Sequence, residues 1–319
     1  MGNNKNNLIF GGSGFIGKHL ANKIGIGAIN CDIKINNSTS KLCDVRQPID
    51  IQVDDISTIF NLAAVHTTPG HAYFEYFETN MKGAENICNF ARWKNINTII
   101  FTSSIAPYGT WEDEKNEGSL PLPTSAYGSS KLVAEEIHKR WQAEKPDDRT
   151  LIIVRPGVVF GQNEGGNFTR LYRAMKSGRF FYPGRKGTKK AAIYVKDLVK
   201  LMVEMAEKEK PGVHLYNTVF TPIHSIEDIC RTIAKVTNVT KPNFTIPKGA
   251  LTLAASTICN IGKLVGKSFD GIHPDRVKKL MISTNINGQK LLDHGYKFSF
   301  TLEEAIEDWF NNCRRKELS

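Results

Sequence analysis

The chain has 319 residues, with 42 Lys or Arg against 32 Asp or Glu, a net charge of +10 at pH 7 and a pI near 9.2. This length can bury a sizeable core, and six scattered cysteines without ligand spacing exclude a metal site and predict a reduced, cytoplasmic location. The basic clusters at 173–190, 276–279 and 314–316 contain no nucleic-acid-binding motif, so we attribute the charge to a phosphorylated substrate and expect no nucleic-acid partner.

The first predicted element is a short apolar strand, Leu8-Ile9-Phe10, and the polar residues before it do not form a signal peptide. A glycine-rich turn follows at 11–17 and leads into a helix. Gly11 permits the tight turn, Gly14 lets backbone approach a pyrophosphate, and Gly17 allows the helix to pack closely on the strand. The amide groups at the start of that helix would face the phosphates of a dinucleotide.

The second predicted strand, 27–31, ends at Asp32. An acidic residue at this distance from a glycine-rich turn binds the ribose hydroxyls of a dinucleotide. A carboxylate repels a 2′-phosphate, so Asp32 favours NAD over NADP, although Lys34 lies close enough to soften this preference.

Further strands are predicted near 41–44, 59–63, 98–103 and 150–155, alternating with helices. The strand at 98–103 delivers Ser103 and Ser104 at its C-terminal end, where open α/β sheets bind ligands. The alternation predicts an α/β fold with one nucleotide-binding domain, followed by a smaller domain.

A helix is predicted over 125–144, and it contains Tyr127 and Lys131 in the sequence Tyr-Gly-Ser-Ser-Lys. The i,i+4 spacing places the ammonium beside the phenol, where a positive charge lowers the pKa of the phenol. Tyr127 is therefore a candidate proton-transfer group. The same spacing recurs at Tyr172 and at Tyr182, but neither of these follows a strand that ends in hydroxyls.

An apolar stretch at 249–266 lies between Lys248 and Lys267. Asn260, Lys263 and several small polar residues exclude a membrane-spanning helix. We interpret the stretch as an amphipathic helix that packs on the core, with peripheral contact to a membrane surface as the alternative.

Motifs along nearly the whole chain resemble the extended short-chain dehydrogenase/reductases, and within them the nucleotide-sugar epimerases and reductases. The motifs are the GGSGFIG turn, Asp44-Val45, Asn61-Leu-Ala-Ala64, Ser103-Ser-Ile-Ala-Pro-Tyr-Gly109, Tyr127 to Lys131, Arg155-Pro156 with Phe160-Gly161, and Tyr194-Val-Lys-Asp197. The resemblance implies a Rossmann-type doubly wound parallel sheet with a smaller C-terminal substrate-binding lobe. The NAD-binding domain would comprise 1–160 and about 191–218, and the lobe about 161–190 and 219–319.

The resemblance also implies roles for individual residues. Tyr127 matches the catalytic acid/base, Lys131 the residue that lowers its pKa and holds the nicotinamide ribose, and Ser104 the hydroxyl that positions the substrate oxygen. The residues that would contact the cofactor are Gly11, Gly14, Phe15, Ile16, Gly17, Asp32, Asp44, Val45, Leu62, Ala63, Ala64, Asn80, Tyr127, Lys131 and Pro156. The residues that would contact the nucleotide sugar are His66, Ser104, Ile105, Asn167, Lys190 and Arg276.

Several of these residues also have ordinary structural interpretations. Asn80 can cap or solvate a helix, and Asn167 can serve as a helix N-cap. Lys190 and Arg276 lie in basic runs that are typical of solvated faces. His66 can be an ordinary loop residue, because it has no metal-ligand spacing.

Ile105 and Ala106 stand where related dehydratases carry two acids, and neither can transfer a proton, so the sequence does not favour a dehydratase. Lys190 replaces an arginine that many members use for the diphosphate, which exchanges a bidentate fork for a point charge. The resemblance favours 4-epimerisation of a UDP-hexose through a transient 4-keto sugar, with NAD as cofactor. Alternatives are an NAD(P)H-dependent reductase of a 4-keto sugar or a hydroxysteroid, and a noncatalytic NAD-binding protein. By analogy, the helices around 78–93 and 125–144 would form a homodimer surface.

Overall fold

The structure is a computed structural model that describes residues 6–35, 40–67, 70–251, 281–313 and 317–319. Arg276 and almost all of the apolar stretch at 249–266 lie outside the described residues.

The described chain alternates strands with helices. The strands are β1 (Asn6–Phe10), β2 (Ala28–Asp32), β3 (Lys41–Leu42), β4 (Ile56–Asn61), β5 (Thr98–Thr102), β6 (Thr150–Pro156), β7 (Val158–Phe160), β8 (Tyr182–Pro183), β9 (Lys189–Lys190), β10 (Ala192–Tyr194), β11 (Gly212–Thr218), β12 (His224–Ser225) and β13 (Thr245–Ile246). The α-helices are α1 (Phe15–Ile24), α2 (Tyr73–Phe77), α3 (Gly83–Trp93), α4 (Ala126–Ala143), α5 (Asn167–Lys176), α6 (Val195–Lys208), α7 (Ile226–Thr237), α8 (Gln289–Asp293) and α9 (Leu302–Asn312). A π-helical turn at Glu78–Lys82 joins α2 to α3, and short 3-10 turns lie at Gly25–Gly27 and Ala106–Tyr108.

Seven of the strands form one sheet in the order β11-β6-β5-β4-β1-β2-β3, and every neighbouring pair is parallel. The strand order reverses between β1 and β4, because the chain proceeds outward from β1 in one direction and then returns to its other side. Such a switch point opens a crevice at the carboxyl ends of the strands. The predicted Rossmann-type doubly wound sheet is confirmed, and the strands begin and end within a few residues of their predicted positions.

Alternation along the strands builds a core on each face of the sheet. Leu8 and Phe10 point to the face covered by α3 and α4, where Trp141 is fully buried. Ile9 points to the opposite face, covered by α1 and α6, where Leu20 and Met202 are fully buried. Because both faces are covered, the strands read as continuous apolar runs.

The remaining short strands lie in the C-terminal half of the chain. β7 pairs with β10, β9 with β12, and β8 with β13. Helices α7 and α9 pack on each other, and their apolar faces join the core on the α1 and α6 side of the sheet. The exact division into two domains stays a prediction. Within the described residues, no helix combines the length and the apolar character needed to cross a membrane.

Candidate active site

The glycine-rich turn lies at the switch point of the sheet. Gly11 adopts φ +81, and a Cβ there would come within 2.7 Å of the Ala63 nitrogen. A Cβ on Gly17 would come within 2.4 Å of the Gly11 carbonyl oxygen. Only glycine permits both approaches. At Gly11 the turn after β1 contacts the segment after β4, which contains Leu62, Ala63 and Ala64, and at Gly17 helix α1 packs on the turn itself.

Helix α1 begins in this turn, with Gly14 as its N-cap, no side-chain cap and no acidic residue in its first turn. The amide groups of the helix start, where Phe15 and Ile16 lie, are thus left for an external acceptor, which fits a pyrophosphate group. Asp32 Oδ2 accepts a hydrogen bond from the Ser13 backbone nitrogen at 3.0 Å, so its carboxylate is held beside the turn. These residues fit a dinucleotide with a free ribose diol.

Asp44 and Val45 follow β3, next to the end of β2. The Arg46 guanidinium binds the Asp44 carboxylate at 2.7 Å and lowers the pKa of this acid. Val45 is buried, and its carbonyl accepts a hydrogen bond from Asn86 at 2.8 Å. Their expected contact with the adenine stays a prediction.

Ser104 follows β5, and its side chain lies near enough to the phenol of Tyr127, in the first turn of α4, to lower the pKa of that phenol. The Ser104 Oγ also accepts a hydrogen bond from the Ala106 nitrogen at 3.1 Å, which fixes the side chain. Helix α4 can approach this turn because residue 128 is glycine: a Cβ there would lie 2.6 Å from the Ala106 carbonyl oxygen. Ser125 sets the start of the helix by accepting a hydrogen bond from the Gly128 nitrogen.

Lys131 lies one turn after Tyr127 and is only 2% exposed. Its Nζ donates a hydrogen bond to the Thr102 carbonyl at 2.8 Å and lies 4.7 Å from the centre of the Phe101 ring. Desolvation lowers the pKa of Lys131 to about 7, and the charge of Glu135 opposes this shift.

The sequence predicts that Lys131 lowers the pKa of Tyr127, but the structure shows no such effect of Lys131. Desolvation raises the pKa of Tyr127 to about 12, and the opposing effect comes from the side chain of Ser104. Lys131 instead directs its Nζ to the Thr102 carbonyl.

Asn80 occupies the π-helical turn and is buried. Its Oδ1 accepts a hydrogen bond from the Val65 nitrogen at 2.9 Å, while its Nδ2 donates to the Val65 carbonyl at 3.1 Å and to the Ser130 hydroxyl at 2.9 Å. The side chain is neither a cap nor solvated, because it joins the loop after β4 to α4. We therefore assign Asn80 to holding the crevice wall.

A buried acid and a buried arginine lie behind the site, and the sequence interpretation gave neither of them a role. Glu135 on α4 accepts hydrogen bonds from Arg155 Nε at 2.9 Å and Nη2 at 2.5 Å, and from the Ser103 hydroxyl at 2.5 Å. Arg155 also lies 4.6 Å from the centre of the Tyr108 ring. The sequence does contain a signal for Glu135, because an acidic residue one turn after Lys131 lies on the side of the helix that packs on the sheet. Pro156 ends the same strand as Arg155, and its carbonyl accepts a hydrogen bond from the Ile105 nitrogen at 3.2 Å.

The residues expected to contact the substrate lie on different elements of the fold. His66 follows β4, where desolvation and the Lys131 charge lower its pKa. Asn167 is exposed and does not cap α5, because Glu164 accepts hydrogen bonds from the nitrogens of Phe168 and Thr169 instead.

Lys190 is half-buried rather than solvated, and its Nζ donates a hydrogen bond to the Ile282 carbonyl at 2.9 Å. Desolvation lowers the pKa of Lys190 to about 8. The substrate contacts expected of Lys190 and Asn167 stay predictions. Among the residues that the structure describes, no group of three or more His, Cys, Asp or Glu could hold a metal ion.

Comparisons with known proteins give the following matches. The model of the NAD dependent epimerase/dehydratase family matches residues 7–218. The N-acetyl-alpha-D-glucosaminyl-diphospho-ditrans,octacis-undecaprenol 4-epimerase of Escherichia coli O157:H7 is 27% identical over 316 residues, which cover 95% of this chain and 94% of that protein. The UDP-glucose 4-epimerase of Yersinia pestis is 24% identical over 72% of this chain and 81% of its own. The structure of MoeE5 in complex with UDP-glucuronic acid and NAD superposes with a TM-score of 0.71 at 20% identity, over 96% of this chain and 99% of that chain.

Proposed function

The chain belongs to the NAD-dependent epimerase/dehydratase family, and from that premise we propose that it is a 4-epimerase of a hexose linked to a diphosphate. It is an NAD-dependent enzyme, and the glycine-rich turn, the uncapped start of α1 and Asp32 are the parts that would hold the cofactor. The observation that carries the proposal is that Ser104 and Tyr127 meet at the carboxyl edge of the sheet, where Gly128 lets α4 approach the turn after β5, one helical turn from Lys131.

The side chains have distinct roles in this reaction. Tyr127 as phenolate removes the proton of the C4 hydroxyl and later returns it, while Ser104 donates a hydrogen bond to the sugar oxygen. Lys131 as ammonium favours the phenolate. When bound, NAD supplies the carbon that accepts and returns a hydride, and its positive ring favours the ionised form of a nearby phenol. Ile105 and Ala106 offer no proton-transfer group for a dehydration.

The diphosphate that bears the hexose can be attached to either of two kinds of carrier, a nucleoside or a polyprenol. A UDP-hexose is supported by the UDP-glucose 4-epimerase relative and by the MoeE5 complex with UDP-glucuronic acid. A polyprenol is supported by the relative from Escherichia coli, whose name gives undecaprenol as the carrier and which this chain matches over 94% of its length. We propose the UDP-hexose as the first substrate to test and the polyprenyl diphosphate hexosamine as the second.

The experiment separates epimerase, reductase and binding protein. The purified protein is first scanned for the absorbance of bound nicotinamide and is then given UDP-galactose, UDP-N-acetylglucosamine or a polyprenyl diphosphate N-acetylglucosamine without added cofactor. Formation of the C4 epimer without net NADH supports the epimerase and identifies its carrier. Turnover of a 4-keto sugar or a hydroxysteroid that depends on added NADPH would instead support a reductase. No turnover with any substrate would favour a noncatalytic NAD-binding protein.

We also propose that the protein acts in the cytoplasm, in polysaccharide biosynthesis, as a homodimer that pairs the helices around 78–93 and 125–144. Exposed apolar side chains on these helices support the dimer: Trp93 is 55% exposed at the end of α3, and Val133 is 37% exposed on α4.

A further inference from the structure

Glu135 takes no part in the proposed reaction, yet it lies one helical turn after Lys131 on α4. We propose that Glu135 is a positioning residue whose carboxylate keeps Lys131 charged and thereby sets the pH range in which Tyr127 works. The inference rests on the proposed function, since Lys131 and Tyr127 take their roles from it.

The first support is geometric. Glu135 follows Lys131 by four residues, so both side chains lie on the same side of α4. Glu135 is fully buried, and its oxygens accept three hydrogen bonds, two from Arg155 on β6 and one from Ser103 after β5. Three donors are the environment of an ionised carboxylate, which accepts and does not donate. A negative charge is therefore held one helical turn from the Lys131 ammonium.

The second support is the set of groups that face Lys131. From β5 come the Thr102 carbonyl and the Phe101 ring, and from the loop after β4 comes His66, whose pKa is lowered. From α4 come Tyr127 and His138. Desolvation lowers the pKa of His138 to about 4, so this ring is neutral at pH 7. Among the described residues, Glu135 is the group whose charge raises the pKa of Lys131.

The competing explanation is that Glu135 only neutralises Arg155 and ties α4 to the sheet. A buried ion pair with a purely structural role can be replaced by neutral side chains of similar volume with little loss of stability. A role in setting the charge of Lys131 cannot be replaced in this way, because the negative charge itself is needed. The two explanations thus differ for a variant that removes both charges.

The experiment uses the full-length protein saturated with NAD. Three variants are compared with wild type: Glu135→Gln, Glu135→Gln combined with Arg155→Met, and Glu135→Asp, which keeps the charge. Glu136→Gln is the matched control, because Glu136 neighbours Glu135 but pairs with Lys139 at the surface. Each protein is labelled with 13C at the lysine Cε, and the Lys131 signal is identified by its loss in Lys131→Met. The chemical shift of this signal is followed against pH, together with the melting temperature and the pH profile of kcat.

We expect the Lys131 titration midpoint to fall by at least about one pH unit in Glu135→Gln and by less in the double variant, which also loses the opposing charge of Arg155 and regains most of its melting temperature. The alkaline limb of kcat should move by the same amount, and turnover at alkaline pH should fall about tenfold. Glu135→Asp should restore most of the midpoint, and Glu136→Gln should match wild type.

A Glu135→Gln variant with the titration midpoint of wild type would overturn the inference and leave Glu135 a structural role only. The titration does not depend on turnover. If wild type turns over none of the sugars, the proposed function fails, while the Lys131 signal still decides the effect of Glu135 on the lysine.

Discussion

The side chain of Ser104 acts on the phenol of Tyr127 and opposes the rise in its pKa that desolvation causes. The two residues come from different elements, a strand end and the first turn of a helix, and Gly128 lets these elements approach. A proton acceptor and a hydrogen-bond donor can therefore reach the same substrate oxygen.

Replacing Tyr127 by Phe removes the proton-transfer group and leaves the ring in place. We expect kcat to fall by about 10²–10⁴-fold, while the affinity for NAD changes little. Steady-state kinetics and a fluorescence titration with NADH measure the two effects. Tyr172→Phe is the control, because Tyr172 has the same spacing to a lysine without a serine-bearing strand end before it, and it should keep full activity. Near-normal turnover in Tyr127→Phe would show that another group transfers the proton.

Lys131 should make stability depend on pH. The pKa of Lys131 is about 7 in the folded chain and 10.5 ordinarily, so between these values the unfolded chain binds a proton that the folded chain does not. The free energy of unfolding therefore increases as pH rises from 7 to 10.5. Below pH 7 Lys131 is charged in both states, and the burial of its charge destabilises the folded chain to the full extent. Lys131→Met should raise the melting temperature at pH 6 by roughly 2–5 °C, with a gain that shrinks towards pH 10, and should abolish turnover.

Scanning calorimetry at pH 6, 8 and 10 measures this effect. Lys139→Met, on the same helix but paired with Glu136 at the surface, should show no such trend. A stability difference between Lys131→Met and wild type that does not vary with pH would contradict the depressed pKa.

Asp32 should determine the choice of cofactor. Asp32→Asn removes the charge that repels a 2′-phosphate and weakens the hydrogen bonds that the carboxylate offers to ribose hydroxyls. We expect NADH to bind about tenfold more weakly, since hydrogen bonds to charged groups contribute about 1.5–3 kcal/mol, and NADPH to bind as well as before or better. Titrations with both cofactors measure the ratio, with Asp50→Asn as the exposed control. An unchanged ratio would mean that Asp32 does not face the ribose.

Asn80 should contribute to the stability of the fold and take no direct part in the reaction. Asn80→Ala leaves the backbone groups of Val65 without their partner and deprives Ser130 of a donor. The expected loss is about 2–4 kcal/mol in the free energy of unfolding, together with weaker NAD binding because the loop after β4 loosens. Urea unfolding measures the first quantity. Asn89→Ala, at an exposed position of α3, should lose far less, and equal losses in both variants would argue against the assigned role.

The proposed homodimer can be tested through its exposed apolar side chains. Trp93→Glu or Val133→Glu would place a charge in the interface, and we expect either variant to be monomeric by light scattering. Ile26→Glu is the control, because Ile26 is fully exposed in the turn between α1 and β2. A wild-type protein that is already monomeric at micromolar concentration would refute the dimer.

The dinucleotide part of the site could be predicted because each of its requirements is local. Gly11, Gly17 and Asp32 are specified by the turn, the packing and the strand end that contain them, and the structure has the predicted turn, helix start and strand end, while contact of these residues with a dinucleotide stays a prediction. The same holds for Ser104 and Tyr127, since a strand end and a helix start are readable from sequence.

The surroundings of these groups could not be predicted in the same way. The pKa of Lys131 depends on burial, and its spacing to Tyr127 says nothing about the Thr102 carbonyl. The partnership of Glu135 with Arg155 joins a helix to a strand, and no local pattern specifies which buried charges meet. Asn80 illustrates the same limit, because its role depends on a loop 15 residues away in sequence.

The ion pair between Glu135 and Arg155 also has an evolutionary consequence. Loss of either partner alone leaves the other charge stranded away from water, at a cost of about 3–5 kcal/mol, so a single substitution at either position should be purged by selection. The two positions should therefore be inherited together. An alignment of homologues would reveal this as covariation between a helix and a strand.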